Sequence, residues 1–276
     1  MSKKISKKIN KKLPLVSVIL GFKDGANYLE RFYNCLDAQT YSNIEIISVD
    51  NYSKDGASKI AKARSDQYYV QGPERSSQRN LGIKKSTGKY CLILDSDQYL
   101  GSKVIQECVE IIENNKNIQA CFIPEETLAS GFWGKCKKFE RDFYLIGDIS
   151  AEAARFYIRE NLLQLDPPGF DETQTGSEDW DLTDRYIGRF GNYSRCQDRI
   201  IHDEGKINLK NQIAKKRYYS RLGISNYLLK GPTYRRIPFP LRPSVLKQFY
   251  KLPLHPILTI GTIYMKFVEG LTIFSN

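Results

Sequence analysis

The sequence LILDSD at residues 92–97 gives the first clear indication of a fold. Its apolar residues belong to the run 90–94, which is typical of a buried β-strand, and Asp95 and Asp97 follow at the carboxyl end. Hard divalent cations such as Mg²⁺ and Mn²⁺ prefer carboxylate oxygens and keep positions open for substrate phosphates. Asp-x-Asp pairs also occur by chance in turns. The metal-site hypothesis therefore depends on the position of this pair, directly after a predicted buried strand.

Short apolar runs and helical periodicities alternate around this stretch. The predicted strands are residues 16–20, 44–49 and 90–94, and the predicted helices are residues 28–36, 57–64, 78–86 and 104–112. Such βα alternation predicts an α/β fold with a mostly parallel sheet flanked by helices, and with ligands at the carboxyl ends of the strands.

The formal net charge of +11 is distributed unevenly along the 276 residues. Residues 1–12 contain six lysines and no acid, and residues 206–276 contain thirteen lysines and arginines against one acid, Glu269. We therefore divide the chain into a basic tail (1–13), an α/β domain (14–205) and a basic extension with helical potential. Basic segments of this kind bind anionic membrane surfaces or nucleic acid, or they are simply solvated charge.

Residues 252–274 are apolar except where His255, Lys266 and Glu269 interrupt them. A bilayer-spanning helix needs about 20 largely uncharged residues, so this segment is more typical of an amphipathic helix at a membrane interface. A helix docked on the protein itself is the alternative. No apolar stretch follows the N-terminal lysines, so we expect no signal peptide and a cytoplasmic protein at the inner face of the cell membrane.

A second acidic motif, GSEDWDL, occupies residues 176–182. Its adjacent acids, Glu178 and Asp179, stand at a predicted helix start beside Trp180. A carboxylate near a hydroxyl group can act as a general base, and the flat face of a tryptophan can pack on a sugar ring. The alternative is that the acids only stabilise the N-terminus of the helix through its dipole.

Several further motifs follow one another in a characteristic order. They are QTY (39–41) within the segment 16–49, SVDNYSKDG (48–56), RNLG (79–82) and STGKY (86–90), ahead of DSD (95–97) and the acid pair at 178–179. In this order they resemble the family 2 glycosyltransferases over residues 15–205. The resemblance implies a Rossmann-like GT-A fold and a catalytic domain at 14–205. It also implies a nucleotide-diphosphate sugar donor, Mn²⁺ or Mg²⁺, and inversion at the anomeric carbon.

The same resemblance implies a donor site at the strand ends. An arginine there can grip a phosphate with two hydrogen bonds, although a surface ion pair is the alternative. Many relatives have an aspartate where this chain has Asn51, and residues 21–24 depart from the family's opening turn. An amide can donate as well as accept hydrogen bonds, so the resemblance does not identify the base of the nucleotide. The implied donor residues are Asp24, Asp50, Asn51, Arg75, Arg79, Asp95 and Ser96.

Metal and acceptor residues follow from the resemblance as well. Asp97, with Asp95 and the late His202, is the expected metal set, and a satisfied core histidine is the alternative for His202. Asp179 is the expected general base and Glu178 orients it, while the tryptophans at 133 and 180 are candidate acceptor contacts. Since a phosphate nucleophile needs no base, the acid pair favours a hydroxyl on a glycan or lipid-linked glycan. The two acceptor candidates are Trp133 and Trp180.

Three other functions compete with this interpretation. A nucleotidyltransferase would have a glycine-rich phosphate loop after the first strand, but only Gly21 and Gly25 stand there. A nucleic-acid-binding protein would interleave aromatic residues with the basic extension, as Tyr218, Tyr219 and Tyr234 do; we consider it the weaker hypothesis. An inactive relative is disfavoured, because the expected metal and base residues are all present.

Overall fold

A computed structural model describes residues 13–274 of the chain. Strands and helices alternate through its first half, as the sequence predicts. The strands are β1 (Val16–Phe22), β2 (Ile44–Asp50), β3 (Gln67–Val70), β4 (Tyr90–Asp95), β5 (Gln98–Leu100), β6 (Ala120–Phe122), β7 (Glu125–Ser130), β8 (Phe156–Ile158), β9 (Tyr193–Arg195) and β10 (Ile200–Lys206).

Helices cover the sheets and form the C-terminal part of the described chain. They are α1 (Ala26–Asp37), α2 (Ala57–Arg64), α3 (Arg75–Lys85), α4 (Val104–Asn114), α5 (Gly131–Asp142), α6 (Arg159–Leu163), α7 (Glu178–Phe190), α8 (Leu209–Arg221), α9 (Ile224–Lys230), α10 (Pro243–Lys247), α11 (Lys251–Leu254) and α12 (Pro256–Phe274). Every strand and helix predicted in the first half forms, and the largest shift is the start of α3, three residues before the predicted one.

The main sheet has seven strands in the order β3-β2-β1-β4-β8-β6-β9. Strands β3, β2, β1 and β4 are parallel to one another, and β8 is antiparallel to both β4 and β6. A second sheet, in the order β5-β10-β7, was not predicted. Its strands are short or carry charged residues, so they lack the apolar pattern that signals a strand.

Two apolar layers hold the main sheet between helices. All seven residues of β1 are buried, which fits a central parallel strand covered on both faces. On one side, α1 packs Leu29, Phe32, Tyr33 and Leu36 into the core, at the i, i+3, i+4, i+7 spacing of an amphipathic helix. This packing fixes the carboxyl ends of the parallel strands, where the candidate site lies. The predicted α/β class is confirmed.

The C-terminal helix α12 packs against α5 and α8 through one face only. Its two charged residues, Lys266 and Glu269, lie on the protein side, where Lys266 Nζ is 3.0 Å from both Glu140 Oε1 and Glu269 Oε2. The opposite face exposes seven large apolar side chains. They are Ile257, Ile260, Ile263, Tyr264, Phe267, Leu271 and Phe274.

By length and composition, α12 is the single helix among residues 13–274 that could cross a bilayer. One such helix is weak support for a membrane span, since a third of its window is buried against the protein. The division of the chain at residue 205 stays a prediction, and the basic tail at residues 1–12 lies outside the described residues.

Candidate active site

The register of the main sheet brings the donor motifs together. Strand β1 lies between β2 and β4, so Phe22 stands opposite Asp50 and Gly21 stands opposite Asp95. The turn after β1 is closed by Asp24, whose carboxylate accepts a hydrogen bond of 2.7 Å from the Lys54 backbone N–H. A side chain on Gly25 would lie 3.0 Å from the Ser96 hydroxyl. The three strand ends therefore form one edge, as the sequence predicts.

Asp50 is buried at this edge, and its carboxylate is fully engaged within the protein. It accepts hydrogen bonds from Ser53, from Ser58 and, at 2.8 Å, from the Tyr68 hydroxyl. Burial alone would raise the pKa of Asp50, but these hydrogen bonds outweigh it and lower the pKa. The adjacent Asn51 donates to the Pro73 carbonyl. Both residues shape the edge of the site, and their side chains are already occupied with protein partners.

Arg79 is placed differently from the expectation of a phosphate-gripping arginine. Its side chain is 0% exposed, and it lies at 2.6 Å from Asp95 through Nη2 and at 2.9 Å from Asp179 through Nη1. The Nη1 atom is also 3.4 Å from Glu178. Burial opposes an ionised carboxylate, but Arg79, Arg155 and Arg75 together lower the pKa of Asp95. Arg79 therefore positions the two acidic motifs, because three carboxylates hold it away from solvent.

The two members of the acid pair have different environments. The side chain of Glu178 is 2% exposed, pairs with Arg75 and accepts a hydrogen bond from the Gly176 backbone N–H. The side chain of Asp179 is 28% exposed and lies 3.5 Å from Arg155 Nη1. Since only Asp179 combines partial exposure with a fixed orientation, it is the member of the pair that can reach an acceptor hydroxyl.

Asp97 and His202 face each other, as expected for a shared metal. His202 Nε2 lies 3.4 Å from Asp97 Oδ2, and His202 Nδ1 lies 2.7 Å from Glu125 Oε1. Asp97 Oδ1 is buried without a hydrogen-bond partner among the described residues. A histidine whose second nitrogen is held by a carboxylate is the usual arrangement of a metal ligand. The donor set, one carboxylate and one imidazole with an unsatisfied oxygen, fits Mn²⁺ or Mg²⁺ better than it fits an apolar core.

The protonation of His202 leads to the same interpretation. Burial lowers the pKa of His202, but the carboxylates of Glu125 and Asp97 outweigh burial and raise the pKa to about 10. A proton on the imidazole thus balances the negative charge between these carboxylates. A divalent cation in the same place would supply that charge and leave the imidazole neutral. Asp95 is less suited to a metal, because Arg79 already binds one of its oxygens.

A cavity of about 220 Å³ opens beside Asp179 and His202. Trp180 lies on its wall and donates a hydrogen bond of 3.3 Å to the Ala151 carbonyl, which fixes the indole. Trp133 does not line this cavity and instead packs against Tyr264 of α12, with ring centroids 6.0 Å apart. The structure therefore brings Trp180, but not Trp133, to the candidate acceptor side.

Glu125 and Arg155 are site residues without an assigned role in the sequence interpretation. Arg155 Nη2 lies 3.4 Å from Glu125 Oε2 while its Nη1 contacts Asp179, so Arg155 connects the candidate metal and base positions. Glu125 reaches His202 because β7 pairs with β10, a pairing between segments 75 residues apart that no local pattern predicts. The one visible sign of Arg155 in the sequence was that it and Glu152 are the two charged residues in the segment AEAARFY, residues 151–157.

Comparison with known proteins agrees with this arrangement. The family model described as Glycosyl transferase family 2 matches residues 17–177, more than half of the chain. The chain belongs to glycosyl transferase family 2. Among curated relatives, an uncharacterized glycosyltransferase of Rickettsia typhi is 36% identical over 110 residues, and glycosyltransferase AglE of Haloferax volcanii is 35% identical over 94 residues. These matches cover 38% and 31% of this chain and 35% and 31% of the relatives, so the match spans about a third of their length.

Solved structures establish the GT-A fold of this family 2 chain. The mannosyltransferase PcManGT of Pyrobaculum calidifontis, in complex with GDP-Man and Mn²⁺, has a TM-score of 0.65 at 15% identity. The similarity covers 96% of this chain and 88% of that protein. TarS 1–349 of S. aureus, in complex with UDP-GlcNAc, has a TM-score of 0.52 at 14% identity and covers 93% and 90%. Identities this low bear on the fold alone.

Proposed function

We propose that this family 2 glycosyltransferase moves a sugar from a nucleotide-diphosphate sugar to an acceptor hydroxyl, with inversion at the anomeric carbon. One observation carries the proposal. A continuous series of contacts runs from Asp97 through His202, Glu125 and Arg155 to Asp179, with each step between 2.7 and 3.5 Å. A candidate metal position and a candidate base are thereby held at fixed positions around one cavity.

The reaction follows from the roles of these groups. Asp179 accepts the proton of the acceptor hydroxyl while that oxygen forms a bond to the anomeric carbon. The bond from the anomeric carbon to the diphosphate oxygen breaks, and the nucleoside diphosphate leaves with the electron pair. Arg155 and Arg79 keep Asp179 in one orientation, which lowers the entropic cost of reaching the reactive geometry.

Asp97 and His202 are the residues that would hold Mn²⁺ or Mg²⁺. The cation supplies a Lewis acid that balances the charge of the departing diphosphate. The unpartnered Asp97 Oδ1 and the Glu125–His202 contact support this assignment. In two structural neighbours the ligands are GDP-Man with Mn²⁺ and UDP-GlcNAc, which makes these two donors the first to test.

We also propose that the protein binds the inner face of an anionic membrane and acts there on a glycan or lipid-linked glycan. The exposed face of α12 supports this proposal, since its apolar residues recur at i, i+3 and i+4 and its two charges point to the protein.

A nucleotidyltransferase and a nucleic-acid-binding protein lose support, because the chain belongs to family 2.

Release of nucleoside diphosphate tests the proposed reaction. Purified protein is incubated with GDP-mannose or UDP-GlcNAc and a bacterial lipid extract, with Mn²⁺ or with EDTA, and the released GDP or UDP is quantified. We expect metal-dependent release that Asp179→Asn lowers by about 10²–10⁴-fold, the usual contribution of a general base. Asp142→Asn, which changes a surface carboxylate paired with Lys138, is the matched control. Equal release by the Asp179→Asn variant would overturn the assignment of the base.

A further inference from the structure

The cavity beside Asp179 has walls of unbalanced charge. Each of its five carboxylates is already paired with a cation of the protein. The pairs are Glu125 with Arg155, Glu152 with Arg195, Glu178 with Arg75 and Arg79, Asp179 with Arg79 and Arg155, and Glu204 with Lys137.

Three cations on the same walls have no such partner. The side chains of Arg141 of α5 and of Lys215 and Lys216 of α8 make no direct hydrogen bond or ion pair within residues 13–274. Burial lowers the pKa of Arg141, but the nearby carboxylates of Glu125, Glu140 and Glu204 outweigh burial and raise it. Lys215 contacts only the ring of Tyr219, with its ammonium 5.8 Å from the ring centroid. The lining of the cavity therefore has positive charge that the protein does not neutralise by contact.

Lys216 shows most clearly that this charge is costly in the free protein. It is half-buried, and the charged groups that face it are Glu269 and Lys266 of α12 together with Lys137 and Glu140 of α5. Burial lowers the pKa of Lys216 to about 8, and the attraction of Glu269 does not offset that burial. A desolvated ammonium without a direct partner is stabilised when a ligand brings an anion to it.

The position of the cavity indicates which ligand brings the anion. Asp179 and Trp180 line the cavity, together with Arg75 of the expected donor set and His202 of the expected metal set, whereas Asp24, Asp50 and Asp97 do not. Lys215 lies over the ring of Tyr219, and Tyr219 in turn lies against Gly176, beside the acid pair. The lysines of α8 therefore stand on the side of the cavity where Asp179 would meet an acceptor hydroxyl.

We propose that Arg141, Lys215 and Lys216 bind a phosphate group carried by the acceptor, close to the hydroxyl that receives the sugar. This inference rests on the proposed function and specifies its acceptor class. One guanidinium and two ammonium groups on the walls of one cavity supply the positive charge and the hydrogen-bond donors that a dianionic phosphate ester requires. Arg141 lies within the segment 17–177 that matches the family model, whereas Lys215 and Lys216 lie beyond it.

Calorimetric titration with glycerol 1-phosphate tests the proposal on the whole 276-residue chain, with glycerol as the uncharged probe. We expect glycerol 1-phosphate to bind and glycerol not to bind. Lys216→Met and Arg141→Met should each weaken binding by about tenfold or more, the usual effect of losing a charge-assisted hydrogen bond. Arg217→Met is the matched control, since Arg217 is the exposed neighbour of Lys216 on α8 and does not line the cavity.

The melting temperature separates a binding role from a structural one. Because the folded state disfavours the charge of Lys216, Lys216→Met should melt at the same temperature as the wild type or higher. Arg141→Met provides an independent test of binding if the first variant does not fold. No binding of glycerol 1-phosphate to folded protein, or equal binding by both variants, would overturn the proposal.

The source of the phosphate is tested by repeating the titration with GDP or UDP and Mg²⁺ at saturation. Undiminished binding of glycerol 1-phosphate places the subsite on the acceptor side. Competition between the two ligands, with Lys216→Met weakening nucleotide binding instead, would assign the cations to the leaving diphosphate and contradict the proposal. If neither nucleotide binds, the proposed function fails, while the glycerol 1-phosphate titration alone still decides whether the phosphate subsite exists.

Discussion

Arg79, whose side chain is fully buried, forms an ion pair of 2.9 Å with Asp179, although 100 residues separate them in the chain. The other terminal nitrogen of the same guanidinium binds Asp95 of the strand-end motif. One side chain thus fixes the distance between the two acidic motifs on which the proposed chemistry depends. Arg79 acts through these carboxylates, since none of its surface is exposed to a substrate.

Replacing Arg79 should therefore destabilise the fold. Arg79→Met removes the direct cation partner of Asp95 and one of the two cations that pair with each of Glu178 and Asp179. Loss of one member of a buried pair costs about 3–5 kcal/mol. The free energy of unfolding, measured in urea, should fall by that amount. Arg199→Met removes an exposed arginine paired with Glu126 and should cost about 1 kcal/mol or less. Equal losses in the two variants would show that Arg79 has no special structural role.

Glu125 should control metal affinity through His202. Glu125→Gln removes the carboxylate that fixes the imidazole, and loss of such a partner typically lowers metal affinity by about 10–100-fold. Binding of Mn²⁺ is measured by electron paramagnetic resonance titration of the free cation. Glu126→Gln, a change at the next residue on the same strand, is the control because Glu126 pairs only with surface cations. Unchanged Mn²⁺ affinity in Glu125→Gln would remove His202 from the metal site.

Glu269 should make the attachment of α12 sensitive to acid. Burial raises the pKa of Glu269, but Lys266, Lys216 and Lys137 outweigh burial and lower it from 4.5 to about 2. A folded pKa below the unfolded value stabilises the fold above pH 4.5, and this stabilisation is lost as the pH falls towards 2. Wild-type stability should decline across this window.

Replacing Glu269 measures how much its ionised carboxylate contributes to the pH dependence of stability. Glu269→Gln should be less stable at pH 7 and should show a shallower decline between pH 4.5 and pH 2, measured by urea unfolding at each pH. Glu110→Gln, at an exposed position of α4, should keep the wild-type slope. If the slopes of Glu269→Gln and the wild type coincide, the acid sensitivity has another origin.

The apolar face of α12 should bind membranes. Ile260→Glu and Phe267→Glu each place a charge in that face, which is unfavourable to bury at a lipid interface. Both variants should lose co-sedimentation with vesicles of phosphatidylcholine and phosphatidylglycerol. Leu163→Glu, at an exposed apolar position of α6, should sediment like the wild type. Retention of vesicle binding by both α12 variants would argue against this surface.

Local sequence patterns predict the parallel strands and the motifs at their ends, because each is encoded within about ten residues. The second sheet escapes prediction, since strand β10 carries charged residues and pairs with distant segments. For the same reason, the contact of His202 with Glu125 and the complete burial of Arg79 could not be inferred. The direction of the charged residues of α12 could not be predicted either. The sequence shows that Lys266 and Glu269 interrupt an apolar segment, but only the folded structure shows that Lys266 contacts Glu140 and Glu269.

Metal-dependent nucleotide binding tests the central claim most directly. Calorimetric titration of GDP and UDP, with and without Mn²⁺, is performed on the wild type, on Asp97→Asn and on the surface control Asp37→Asn. We predict that one nucleoside diphosphate binds only with Mn²⁺, that Asp97→Asn abolishes this binding and that Asp37→Asn retains it. Binding that needs no metal, or that survives in Asp97→Asn, would contradict the assignment of Asp97 and His202 as the metal site.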